Sequence, residues 1–155
     1  ASVLAALGAD VAVWSRSELP AGTPFVRLGK PDLLARSDVL SLHLPLVPET
    51  ARWLDAEALA RLPRGAIVVN TARGGLVDEP ALVAALATGH VAAAGLDVFA
   101  TEPPEPGDPL VRHPSVTATP HVAWLTRETW ERSLAVAIEN GRRLAAGEPL
   151  VHRVA

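Results

Sequence analysis

One stretch limits what this chain can fold into: Ile67-Val68-Val69-Asn70-Thr71-Ala72-Arg73-Gly74-Gly75. It opens as a β-branched apolar run, and such a run bounded by turn signals reads as a strand buried on both faces. Within three residues its character changes to Asn, Thr, Arg and two glycines. The acidic helix start Val77-Asp78-Glu79-Pro80 follows. Open α/β sheets place their ligands at the carboxyl ends of buried parallel strands. Arg73 stands at such an edge, and other strand ends must supply its partners.

The rest of the chain repeats the alternation. Residues 2–7 read as the end of a helix closed by Gly8, and residues 10–14 as a short strand. A Pro- and Gly-rich loop over 19–29 leads to a short helix over 31–36, then a strand over 38–45 stopped by Pro45. Pro48-Glu49-Thr50 makes a turn, and Asp55 caps a helix through Leu62. After the strand at 66–71, Asp78 caps a helix that Gly89 ends. Residues 91–99 form a strand, 101–108 a proline-dense loop, and 116–119 the last strand. Thr126 caps a long helix over 127–146, Gly147 ends it, and the tail 148–155 is expected to be extended. Strands alternating with helices mark βαβ units with right-handed crossovers, hence an α/β fold with a doubly wound, mostly parallel Rossmann-type sheet. Apolar residues make up 49% of the chain but aromatics only 4%, so Ala, Leu and Val must fill the core.

In a doubly wound dinucleotide fold the strand order is 3-2-1-4-5-6, and a glycine fingerprint follows strand 1. No GxGxxG occurs here. The expectation is a nucleotide-binding domain over 1–147 that lacks its first central strand and glycine turn, with both preceding residue 1. The strands at 10–14 and 66–71 would then flank an open slot, and the chain alone would be marginally stable. With a net charge of −3 there is no electrostatic case for nucleic acid or an anionic membrane. Cysteine is absent, so no disulfide or thiolate metal site is expected, and the default reading is a soluble cytoplasmic protein.

Four polar residues fall at strand ends: Arg73, Asp97, Glu102 and His121. Arg73 can fork onto a carboxylate with two parallel hydrogen bonds, or merely pair with Asp78 or Glu79 on the surface. Asp97 ends a buried run, where a carboxylate is costly unless it meets a donor: a ligand amide or a neighbouring backbone N–H. His121 directly follows Pro120 after the last strand. A lone histidine there is best explained as a satisfied loop residue, but Glu102 lies within plausible reach in the loop after the preceding strand. A carboxylate bonded to an imidazole fixes its tautomer and favours the charged form, which makes a general acid for a developing alkoxide.

Three segments together resemble the D-isomer-specific 2-hydroxyacid dehydrogenases, of the phosphoglycerate/glycerate dehydrogenase-like group. They are Asn70-Thr71-Ala72-Arg73-Gly74-Gly75-Leu76-Val77-Asp78-Glu79, Gly95-Leu96-Asp97-Val98-Phe99-Ala100-Thr101-Glu102-Pro103, and Thr119-Pro120-His121-Val122-Ala123-Trp124. The resemblance implies reversible hydride transfer between NAD or NADP and a small 2-hydroxy acid, of the hydroxypyruvate or glyoxylate reductase type. It implies that Arg73 grips the substrate carboxylate, that His121 is the acid/base and that Glu102 orients and charges it. Asp97 would face the nicotinamide, while Thr71, Ala72, Leu44, Thr50 and Ala123 would line the cofactor site. The tail from 148 would lead toward a substrate domain, and the full-length protein would be a homodimer. At the position of the family's usual ribose-binding carboxylate stand Ser15, Arg16 and Ser17, which leans the expectation toward NADP, because donors replace a repelling charge. Two other readings compete: a nucleotide-sensing corepressor of the same fold, and a bare dinucleotide-binding module.

Overall fold

A computed structural model describes residues 1–153. The chain divides into two compact units, residues 1–120 and 121–155. The sequence reading drew its boundary at 147.

In the first unit, α1 (Ser2–Ala6) precedes β1 (Ala12–Val13) and β2 (Val26–Arg27), which pair in parallel as a small separate sheet. Next come α2 (Lys30–Arg36), β3 (Val39–Leu42), α3 (Ala56–Arg61), β4 (Ala66–Asn70), α4 (Glu79–Ala87), β5 (Val91–Leu96), α5 (Pro109–Arg112) and β6 (Val116–Ala118). The four later strands form a parallel sheet in the order β3-β4-β5-β6. The expected break in the sheet is therefore present, but its inner edge belongs to β3. The sequence reading had assigned that edge to the strand at 66–71. The chain crosses over after β2, and the first strand beyond the crossover takes the inner place, with β4 one position further on.

Caps are where local chemistry predicts them. Asp55 accepts from the Ala58 amide at 2.8 Å, and Asp78 accepts from the Ala81 amide at 3.1 Å. Two elements escaped the sequence reading. β2 lies inside the Pro/Gly-rich 19–29 segment, and α5 follows the proline-dense loop, where Asp108 accepts from the Leu110 and Val111 amides.

The core joins Leu34 of α2, Leu59 of α3, Leu82 and Leu86 of α4 and Leu110 of α5 to Leu40, Leu42, Val68, Val91 and Leu96 of the strands. These are small aliphatic side chains, as the composition requires. Burial alternates along β3 and β4, with Val68 fully buried and Ile67 39% exposed. This corrects the expectation of a strand buried on both faces, since α2–α5 share one core against one face of the sheet. The small sheet is tied in by Trp14, which lies just beyond β1. Its ring centroid is 5.2 Å from that of buried Trp53, and the Lys30 ammonium lies 4.6 Å from the Trp53 ring centre.

The second unit is built on α6 (Arg127–Ala146), with Thr126 as its cap and Gly147 in the left-handed conformation at its end. The Glu128 carboxyl in its first turn is held below the ordinary range by its own backbone amide and by the Thr126 hydroxyl. The tail is not extended away: Asn140 exchanges two hydrogen bonds with the Val151 backbone, and Arg143 donates to the Pro149 carbonyl. Residues 154–155, the end of the predicted tail, lie outside the described residues.

Candidate active site

The site begins with Asn70, the last residue of β4 and almost fully buried. Its side-chain amide turns back on the following loop. Oδ1 accepts from the Ala72 amide at 3.1 Å, and Nδ2 donates to the Arg73 carbonyl at 3.0 Å. The same carbonyl accepts from the Leu76 amide and so closes the short 3₁₀ turn at Gly74–Leu76. Thr71, Ala72 and Arg73 are thereby held in one loop shape at the carboxyl end of the strand. Sequence reasoning missed this role of Asn70, although a polar residue closing a buried apolar strand was its visible sign.

The Arg73 guanidinium is exposed and donates to the Ala72 carbonyl at 2.6 Å. The alternative surface pairs from the sequence are not formed. Asp78 lies 3.7 Å from the Arg52 guanidinium, and Glu79 accepts from the Ala100 amide.

Beside this loop runs the segment that follows β3. Together the two segments line a cleft of about 460 Å³, with His43, Leu44, Pro45 and Leu46 on one side and Thr71, Ala72 and Arg73 on the other. Four expected site residues, Leu44, Thr71, Ala72 and Arg73, thus share one cavity. His43, whose ring lies 2.9 Å from the Ser41 hydroxyl, was not foreseen there. Thr50 stands behind the cleft wall at 1% exposure. Its hydroxyl donates to the Pro45 carbonyl at 2.6 Å and accepts from the Val47 amide at 2.9 Å. It therefore shapes the wall from behind.

The segment after β5 carries Asp97 and Glu102. Asp97 is 3% exposed, and its Oδ1 accepts from the Thr119 hydroxyl at 2.5 Å, so the buried carboxylate meets a donor as the desolvation argument demands. Glu102 Oε1 accepts from the Phe99 amide at 2.9 Å, which curls the loop back on itself. That loop sits directly on the Arg73 loop. A Cβ on Gly74 would lie 1.9 Å from the Phe99 carbonyl carbon, so only glycine allows the approach.

At the end of β1, the Ser15 hydroxyl accepts from the Ser17 amide at 3.3 Å, and Arg16 is exposed. Arg27, from the neighbouring β2, donates to the Ser15 carbonyl and pairs with Glu18 at 2.5 Å. This pairs the Glu18 carboxylate, one residue beyond Ser17, with a cation.

His121 and Ala123 fall in the second unit. His121 is exposed and has φ of 56°, a left-handed conformation uncommon outside glycine and concentrated at functional sites. Its carbonyl accepts from the Trp124 indole at 3.2 Å, and the Leu125 amide donates to the Val122 carbonyl, so Ala123 lies inside a compact turn ahead of α6.

Comparison with known proteins agrees with the fold and the motifs. The profile described as D-isomer specific 2-hydroxyacid dehydrogenase, NAD binding domain, matches residues 1–123. A D-3-phosphoglycerate dehydrogenase from Mycobacterium leprae is 46% identical over 151 residues, 96% of this chain and 28% of that protein. A glycerate dehydrogenase from Methylorubrum extorquens is 44% identical over 119 residues, 76% of this chain and 38% of that protein. The chain thus spans well under half the length of these curated relatives. Among solved structures, a D-isomer specific 2-hydroxyacid dehydrogenase from Xanthobacter autotrophicus, in complex with NADPH and MES, matches with a TM-score of 0.81 at 43% identity, over 98% of this chain and 63% of that one. The chain belongs to the D-isomer specific 2-hydroxyacid dehydrogenase family, within its NAD binding domain.

Proposed function

We propose that the full-length protein is an NAD(P)-dependent D-2-hydroxyacid dehydrogenase that interconverts a small 2-keto acid and its 2-hydroxy acid. One observation carries this reading. The loops after β4 and β5 pack together and bring Arg73 and Glu102 to one edge of the sheet from separate strands.

The lining of the cleft suits the nicotinamide end of such a cofactor, with Leu44, Leu46 and Ala72 as apolar wall and His43, Thr71 and Arg73 as polar groups among them. Bound there, the cofactor supplies or accepts the hydride. Arg73 forks onto the substrate carboxylate and fixes which carbon faces the cofactor. Its positive charge also favours the negative charge that develops on the carbonyl oxygen. His121 donates a proton to that oxygen as the keto acid is reduced, giving the hydroxyl, and takes it back in the reverse direction. In this reading Glu102 has the role of orienting the imidazole. Asp97, whose buried carboxylate accepts from the Thr119 hydroxyl, is assigned the role of facing the nicotinamide.

The cofactor of this reading is NADPH in preference to NADH. Ser15, Arg16 and Ser17 put donors where a ribose-binding carboxylate would repel a 2′-phosphate, and Arg27 neutralises Glu18 beside them. The substrate class is a short keto acid such as hydroxypyruvate or glyoxylate, in line with the relative named as a glycerate dehydrogenase. The test is a screen of keto acids against both reduced cofactors in the full-length protein. Oxidation of NADPH with hydroxypyruvate or glyoxylate is expected, and no turnover with any 2-keto acid would refute the reading.

A further inference from the structure

We propose that Glu79 is a positioning residue, whose carboxylate holds the Ala100 amide and locks the Glu102 loop onto the Arg73 loop. Glu79 is the first residue of α4, directly after the Asp78 cap. Its Oε1 accepts from the Ala100 amide at 2.7 Å, across a sequence separation of 21. The neighbouring amide, of Phe99, donates to Glu102 itself. Two consecutive backbone amides are therefore bound by two carboxylates: one from α4, the other from the residue being positioned. The missing side chain of Gly74 lets the Phe99–Ala100 peptide come within contact of the Arg73 loop, and Asn70 fixes that loop from the other side.

The geometry divides the work. Asp78 serves the helix end through the Ala81 amide, so α4 keeps its cap without Glu79. Glu79 is left to reach out of the helix to a loop with a different task. A charged carboxylate accepting from an N–H makes a stronger hydrogen bond than a neutral acceptor, which favours the contact although it lies at an exposed edge of the loop. Small shifts in the relative placement of two groups that act on one substrate carry large rate penalties. Releasing Ala100 frees the segment that spaces Glu102 from Asp97.

This inference rests on the dehydrogenase reading, and two readouts keep their failures apart. The first needs no activity: amide hydrogen exchange over residues 98–102 in wild type, Glu79→Ala and Glu79→Gln. Exchange is expected to rise at least tenfold in Glu79→Ala and to stay near wild type in Glu79→Gln, whose amide oxygen still accepts. The second is steady-state kinetics of the full-length protein. Glu79→Ala is expected to lower kcat at least tenfold, raise KM for the keto acid and alter the pH–rate profile, with KM for NADPH unchanged and Glu79→Gln restoring most of the rate. Exchange at Ala100 that is equal in wild type and Glu79→Ala would overturn the clamp. Faster exchange with unchanged kcat, keto-acid KM and pH profile would overturn its role in positioning. A wild-type protein inactive on all keto acids would refute the dehydrogenase reading and this catalytic role with it, whereas the exchange result would still decide the clamp.

Discussion

Replacing Gly74 by alanine tests whether the two site loops are bound to each other. The added Cβ would lie 1.9 Å from the Phe99 carbonyl carbon, 2.2 Å from its oxygen and 2.3 Å from the Ala100 nitrogen. Ordinary contact begins at 3.4 Å, so the loops must part by about 1.5 Å (3.4 less 1.9) unless the backbone distorts. The obstructing atoms are all main chain and cannot rotate aside. Overpacking of this kind costs about 1–3 kcal/mol. Parting the loops also breaks the charged hydrogen bond that the Ala100 amide donates to Glu79, worth about 1.5–3 kcal/mol. A total of roughly 2.5–6 kcal/mol corresponds to a fall in melting temperature of about 5–24 °C for a chain of this size. If the protein is the enzyme proposed, displacing Arg73 from Glu102 by about 1 Å lowers kcat/KM on the order of a hundredfold. Gly75→Ala is the control. There the nearest atom is the Leu46 Cδ2 at 2.9 Å, the flexible end of a side chain, so less than about 1 kcal/mol is expected. Thermal unfolding followed by circular dichroism measures both variants. A Gly74→Ala protein melting within about 2 °C of wild type would refute the close approach.

Three further outcomes follow from particular contacts. Asn70→Ala leaves the Ala72 amide and the Arg73 carbonyl without their side-chain partner and should cost about 1–3 kcal/mol in urea unfolding, whereas Asn70→Asp sets a carboxylate against that carbonyl and should cost more. Arg16→Ala should raise KM for NADPH on the order of tenfold and leave KM for NADH unchanged, since an arginine–phosphate contact is worth about 1.5–3 kcal/mol; equal effects on both cofactors would remove the 2′-phosphate assignment. The Glu128 carboxyl is held below its ordinary range in the folded helix, so its contribution is present above the unfolded-state value and is lost as pH falls through the lowered folded-state value. Helicity at the start of α6 should therefore fray in acid, and Glu128→Gln should abolish that pH dependence in residue-resolved NMR shifts.

How much of this was legible in the sequence depended on the range of the signal. The ends of α6 agree with the sequence reading to the residue, because Thr126 and Gly147 act on backbone groups within one turn. Asp55 and Asp78 identified their helices for the same reason. β2 was invisible because two residues among prolines and glycines show no period. α5 had its signal in Asp108 followed by Pro109, and the surrounding prolines obscured it. At the site, Arg73 and Glu102 could be picked out by residue type at strand ends. The contacts that hold them could not. Asn70 acts only once its loop turns back, and the Glu79–Ala100 bond joins segments that only the sheet brings together. Thr50 was picked out by the resemblance alone, and its hydroxyl bond to the Pro45 carbonyl is a contact that spacing does not reveal.

The central claim is that Arg73, Glu102 and His121 serve one reaction. The most direct test is the single-turnover rate of keto-acid reduction in full-length His121→Ala, measured beside its affinity for NADPH. The account predicts a rate lower by about 10²–10⁴-fold with cofactor affinity unchanged. A variant that reduces hydroxypyruvate and glyoxylate within a few fold of the wild-type rate would contradict it.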